Sequence, residues 1–162
     1  HQISIIPRGM AAGFTMYLPN EDNQHISRKK LYGQICSLLG GRAAEELTQD
    51  DICTGASNDM QRATEIARKM ITKFGMSEKL GPITYGNDNN EVFLGRDFSS
   101  TPNYSNDIAA AIDGEINRIV TGEYEKAKEI LNNNMPKLHL IAKELFENEK
   151  IDGERFIALM QE

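Results

Sequence analysis

The residues of this chain able to do chemistry are mostly carboxylates. In TGASNDMQRATEIARKM, Thr54 to Met70, a small polar loop runs into a helix-favouring apolar ladder, and Asp59 stands where the two meet. Asn58 with Gln61 three residues later matches a capping box, which makes Asp59 the first residue inside the helix. There its charge complements the helix dipole by ~0.3–1 kcal/mol. At roughly 100° per residue, Asp59 also lies within about 50° of the centre of the stripe formed by Ala63, Ile66, Met70 and Phe74, so it leans toward the protein. An ionised carboxylate leaving water needs a cation or strong donors. A metal ion, Arg42, Arg62 and backbone amides all qualify.

Glu45 and Glu46 in GGRAAEE are the rival carboxylates, readable as a solvated helix end, as partners of Arg42, or as ligands. His1, His25 and His139 are far apart, without the four-residue spacing that places two imidazoles on one helix face. His25 falls in a polar loop and His139 on a solvated helix face, which marks both as structural or surface residues, not ligands. Cys36 and Cys53 make neither a disulfide framework nor a zinc-binding spacing, so a reducing compartment is expected. No serine or cysteine pairs credibly with a histidine for nucleophilic catalysis, and no Gly-rich Lys-Ser/Thr loop offers a phosphate cradle.

A chain of 162 residues suits one domain with a real core. Its net charge of −6 argues against a surface that neutralises phosphates, so nucleic acid is not an expected partner. No window approaches the ~18 apolar residues of a membrane span, and no basic-then-apolar leader opens the chain, so the segment is expected to be soluble. It begins with His1 and runs straight into a strand-like pattern, which reads as a fragment of something longer.

The elements that must position these groups are mainly helical. Ile3 to Ile6 and Ala12 to Leu18 read as two short strands joined through Pro7-Arg8-Gly9, the second alternating Phe14, Met16 and Leu18 toward a buried face. Ser27 caps a helix with Leu31, Ile35, Leu38, Leu39, Ala43 and Leu47 on one side, interrupted at Gly40-Gly41, where another backbone is expected to approach closely. The helix beginning near Asn58 carries Ala63, Ile66, Ala67, Met70, Ile71 and Phe74, with Gly75 as its C-cap. Turn formers from Gly81 to Asn103 predict a long connection in which only VFLG, Val92 to Gly95, resembles an ordered element. Ser105 starts the longest run, with Ile108, Ile112, Ile116, Ile119, Val120, Ala127, Ile130 and Leu131, ended by Asn132 to Asn134 and Pro136. A helix with Leu138, Ile141, Ala142, Leu145 and Phe146 follows, then a short one with Phe156, Ile157, Leu159 and Met160. The fold class predicted is mainly α, a helical bundle with a small N-terminal β-hairpin.

SIIPRG (Ser4 to Gly9), LLGGRAAEE (Leu38 to Glu46), TGASNDMQRATEIARKM and FGMSEKLGP (Phe74 to Pro82) resemble, in this order, the peptidase region of the FtsH family of ATP-dependent, membrane-anchored zinc metalloproteases. The likeness continues through VFLGRD and Asn103 to Ser105 into the long helix. It implies a single peptidase-type domain over residues 1–162, truncated at its N-terminus, with a zinc-site half at 1–103 and C-terminal helices at 104–162. In that family zinc is held by the two histidines of an H-E-x-x-H helix, whose glutamate is the general base, and by the aspartate of SND. Asp59 matches that aspartate. Two imidazole nitrogens and one carboxylate leave a tetrahedral position for water, whose pKa the metal lowers toward ~7 so that it attacks the scissile carbonyl.

The sequence contains no H-E-x-x-H, so the expectation for this polypeptide is weak or absent zinc binding, no catalytic residue of its own and no peptidase activity. The resemblance further implies that Gly13, Phe14 and Thr15 bind substrate by strand addition, with an ordinary packed hairpin as the competing reading. It implies protein or peptide substrates, a partner AAA+ domain that uses ATP outside this chain, a homo-hexamer, and a place on the cytoplasmic side of the membrane in protein quality control. The rival class is a non-enzymatic helical assembly module that uses the long helix as its surface.

Overall fold

The computed structural model describes residues 2–7, 13–16, 25–49, 51–86 and 103–161. It is mainly α, with strands β1 (Gln2–Ser4), β2 (Phe14–Met16) and β3 (Lys150–Asp152) and helices α1 (Arg28–Thr48), α2 (Ser57–Thr72), α3 (Asn106–Asn133), α4 (Met135–Asn148) and α5 (Gly153–Gln161). The chain divides into two compact units, residues 26–129 and residues 1–25 with 130–162.

In the unit of residues 26–129 the apolar stripes read from the sequence meet in one core. Leu31, Ile35 and Leu39 of α1 pack with Ala63, Ala67, Met70 and Ile71 of α2 and with Ile112, Ile116 and Ile119 of α3. The alanines let the helices approach while the isoleucines and Met70 fill the space between, each buried side chain worth roughly 1.5–3 kcal/mol for the larger residues. Ser27 caps α1 as expected, its Oγ accepting from Lys30 N at 3.2 Å. The interruption expected at Gly40-Gly41 does not occur, for α1 runs unbroken through both, and a Cβ on either would meet nothing within 4 Å. Buried Leu39 and Ala43 on the flanks hold this stretch helical against the weak preference of glycine.

The C-terminal end of α2 differs from expectation in one respect. Phe74 lies beyond the helix and is 48% exposed, so the apolar stripe stops at Ile71. The turn that follows depends on Gly75, whose φ of +57° is left-handed and whose missing side chain leaves room for the Pro82 backbone. Past it, Tyr85 N donates to Thr72 O at 2.8 Å and Tyr85 Oη to Leu80 O at 3.2 Å, which folds the segment back onto α2.

In the unit of residues 1–25 and 130–162 the predicted hairpin forms, with Gln2 opposite Met16 and Ser4 opposite Phe14. Of the strand expected over Ala12 to Leu18, residues 14–16 are strand, and Ala12, Tyr17 and Leu18 lie outside the described residues. The buried face expected there is not seen at Met16, which is 45% exposed. β3 was not expected. It pairs antiparallel with the other edge of β1, giving the order β2-β1-β3, and buries Ile151 between two charged residues too short a run to signal a strand. Glu149 turns the chain from α4 into β3 with a left-handed φ of 61°, and its carbonyl accepts from Ile5 N at 3.0 Å. Asp152 caps α5 through Arg155 N at 2.8 Å. The VFLG segment predicted as ordered lies outside the described residues.

Candidate functional site

Asp59 is placed by a short 3-10 turn, Thr54–Ala56, that leads directly into α2. The capping box does not form: the helix starts two residues earlier than expected, Ala56 occupies the cap position without a side-chain bond, and Gln61 Nε2 reaches forward to Glu65 at 3.3 Å. Asp59 is therefore the third residue of α2, still in the first turn where the dipole favours an anion. Its side chain is 48% exposed, neither sunk in the core nor fully solvated. Its cation is Arg62, with Nη1 3.4 Å from Oδ1, a long ion pair between two half-exposed groups of the kind worth about 0–1 kcal/mol. Of the partners open from the sequence, the structure supplies Arg62, and weakly.

Among the described residues no group of three His, Cys, Asp or Glu side chains could hold a metal ion. His25 and His139 are exposed, as expected for surface residues, and His1 lies outside the described residues. Asp59 thus offers one oxygen donor, and these residues alone do not fit a closed or catalytic zinc site, which takes at least three protein ligands.

Glu45 and Glu46 part ways. Glu46 is claimed by α3, accepting from Tyr124 Oη and, at 3.2 Å, from Lys128 Nζ, and it is these two hydrogen bonds that lower its carboxyl below the ordinary value. Lys128, not Arg42, is its ion-pair partner. Glu45 keeps one carboxylate oxygen, Oε2, buried without a hydrogen bond.

The substrate-strand candidates sit together on β2, which is the terminal strand of the sheet. Gly13 has a structural reason for its type: a Cβ there would lie 2.7 Å from Ser4 O, so only glycine lets the strand close on β1. Phe14 is half-buried and Thr15 exposed.

Glu115, singled out by no sequence signal, is the one buried acid among the described residues. It is 5% exposed on α3, yet both oxygens are satisfied: Arg118 Nε donates to Oε1 at 3.0 Å, and Arg118 Nη2 and Ser77 Oγ donate to Oε2 at 3.1 Å and 2.8 Å. Arg118 chiefly, then Ser77, hold its carboxyl below the usual carboxylate range against the opposing effect of burial. Ser77 Oγ also accepts from Leu80 N at 3.1 Å, so the acid pins the turn after α2 to α3. An i,i+3 Glu-Arg pair is too common on helices to have marked it, and only the tertiary approach of Ser77 reveals its role.

With this geometry in place, comparison with known proteins is informative. The profile of peptidase family M41 matches residues 1–159. The chain is 54% identical over 156 residues to ATP-dependent zinc metalloprotease FtsH 1 of Thermoanaerobacter sp. (strain X514), a match covering 96% of this chain and 26% of that protein. It is 51% identical over 156 residues to ATP-dependent zinc metalloprotease FtsH of Bacillus subtilis (strain 168), covering 96% of this chain and 24% of that protein. For the protein of the same name from Thermotoga maritima the figures are 47% over 163 residues, 100% and 27%. The chain spans about a quarter of the length of these curated relatives.

Proposed function

Because the chain belongs to peptidase family M41, we propose that it is the proteolytic domain of a membrane-anchored, ATP-dependent zinc metalloprotease that degrades protein substrates. In this reading residues 1–162 form a single peptidase-type domain on the cytoplasmic side of the membrane, within a homo-hexamer whose AAA+ domains use ATP to deliver substrate. No helix among the described residues is long and apolar enough to cross a membrane.

The observation that supports Asp59 as a zinc ligand is its state of readiness. It stands in the first turn of a rigid helix, half-exposed, with one long ion pair that a divalent cation outcompetes easily. Zinc, when bound, supplies a Lewis acid and an activated water. The chain's own contribution is one oriented carboxylate oxygen, the imidazole ligands and general base being absent from this sequence. β2 is read as the strand beside which substrate backbone aligns, with the glycine-tight β1–β2 pairing keeping it straight.

Two measurements test this. The 162-residue chain is expected to show no chelator-sensitive casein hydrolysis, and measurable activity would overturn the assignment of catalysis to residues outside it. In a longer protein carrying an H-E-x-x-H helix, Asp59→Ala is expected to lower bound zinc and casein hydrolysis together. Full zinc content in that variant would place the third ligand elsewhere.

A further inference from the structure

At the start of α1, the turn after α2 and the middle of α3 enclose a cleft of about 280 Å³ that the proposed peptidase chemistry does not use. Arg28, Tyr32, Glu78, Lys79, Glu115 and Arg118 line it, all within the unit of residues 26–129. We propose that this cleft binds a carboxylate presented by a polypeptide, either a chain terminus or an Asp or Glu side chain.

The hydrogen-bonding inventory points to an acceptor ligand. Glu115, the buried acid of the cleft, has both oxygens consumed by Arg118 and Ser77 and has little left to accept with. Arg118 spends two of its five N–H donors on Glu115 and shares a further hydrogen bond with Tyr32, and with its side chain 59% exposed it keeps donor capacity for a ligand. Arg28 gives Nη1 to Glu78 Oε1 at 3.0 Å in a pair whose side chains are 48% and 82% exposed, an interaction that water screens and an incoming anion displaces. Among the described residues no carboxylate stands within ion-pair distance of Lys79, although its charge is felt at Glu115. Apart from the exposed Glu78 carboxylate, the unspent capacity is therefore donor.

The charge count narrows the class. Arg28, Lys79 and Arg118 face Glu78 and Glu115, a surplus of one positive charge, on a chain whose net charge is −6. A carboxylate matches that surplus. A phosphate dianion would leave the cleft with excess negative charge beside two acids. A volume near the lower end for ligand pockets suits a carboxylate with its adjoining residue. Binding through such exposed groups is weak alone, in the millimolar range, and gains strength when the partner is tethered or multivalent.

The test is amide-resolved NMR titration of the 162-residue chain with acetyl-Gly-Gly, acetyl-Gly-Glu-Gly-amide, neutral acetyl-Gly-Gly-amide and inorganic phosphate. Saturable shifts confined to residues 28–32, 76–79 and 115–118 are expected with either carboxylate peptide, and the tighter of the two names the source. Lys79→Gln is expected to weaken this binding about three- to fivefold, and Glu78→Gln to tighten it by a similar factor because it removes the competitor for Arg28. Lys143→Gln, an equal change of net charge on α4, should leave it unchanged. Equal binding of the neutral amide, tighter binding of phosphate, shifts scattered over the surface, or indifference to Lys79→Gln would each overturn the proposal.

Discussion

Asp59 and Glu115 are both acids on amphipathic helices of the same compact unit, each with an arginine three residues later. Their surroundings differ sharply. Glu115 is 5% exposed and receives three hydrogen bonds, whereas the Asp59 side chain is 48% exposed and has one ion-pair contact at 3.4 Å. A charge withdrawn from water must be satisfied by the protein itself, which ties it to stability. A charge left half in water keeps its lone pairs available to a ligand. An acid at the same i,i+3 spacing from an arginine thus serves the architecture in one place and stays half in water in the other.

The comparison is most strongly tested by removing the buried acid. Glu115→Ala should destabilise the protein by about 2–4 kcal/mol, because Ser77 and Arg118 lose their shared acceptor and the turn loses its anchor. Urea unfolding measures it, and a loss below that of an ordinary surface substitution would show that the network is ornamental. Gly75→Ala attacks the same turn through the backbone, forcing an L residue to a φ of +57° with its Cβ 3.1 Å from Pro82 C. A cost of about 1–3 kcal/mol is expected, read by the same unfolding curve.

Proton linkage sharpens the contrast. Since Glu115's folded pKa lies below its ordinary value of 4.5, its contribution is fully present above that pH and disappears as the pH falls through the folded pKa. The stability gap between the native protein and Glu115→Gln should therefore stay constant near neutrality and close on acidification, checked by thermal unfolding across a pH series. A gap that widened in acid would reverse the sign assigned here. The smallest effect belongs to Asp59→Ala, whose metal-free stability should stay within about 1 kcal/mol of the parent. A large loss in the absence of metal would make Asp59 a structural acid like Glu115.

Much of the fold was legible because helix periodicity is a local signal. The stripes of α1, α2 and α3 gave the core residues, Ser27 gave a true cap, and Asn132 to Pro136 marked the break between α3 and α4. Where the reading failed, a distant contact had overruled a local preference. Gly40-Gly41 stay helical because buried neighbours hold them, and β3 exists because β1 offers it an edge. At the candidate site Asp59 was legible twice over, as a first-turn acid and as the aspartate of a family motif, while its weak pairing with Arg62 was not.

Sequence alone determined which faces are apolar, where helices must stop and which acid opens α2, since these depend on residues within a few positions of one another. Tertiary structure alone decided which acids are consumed and which stay available. Ser77 meets Glu115 across 38 residues, and Tyr124 and Lys128 meet Glu46 across 78 and 82. Burial and hydrogen-bond satisfaction are properties of what the folded chain brings together, and no local pattern encodes them.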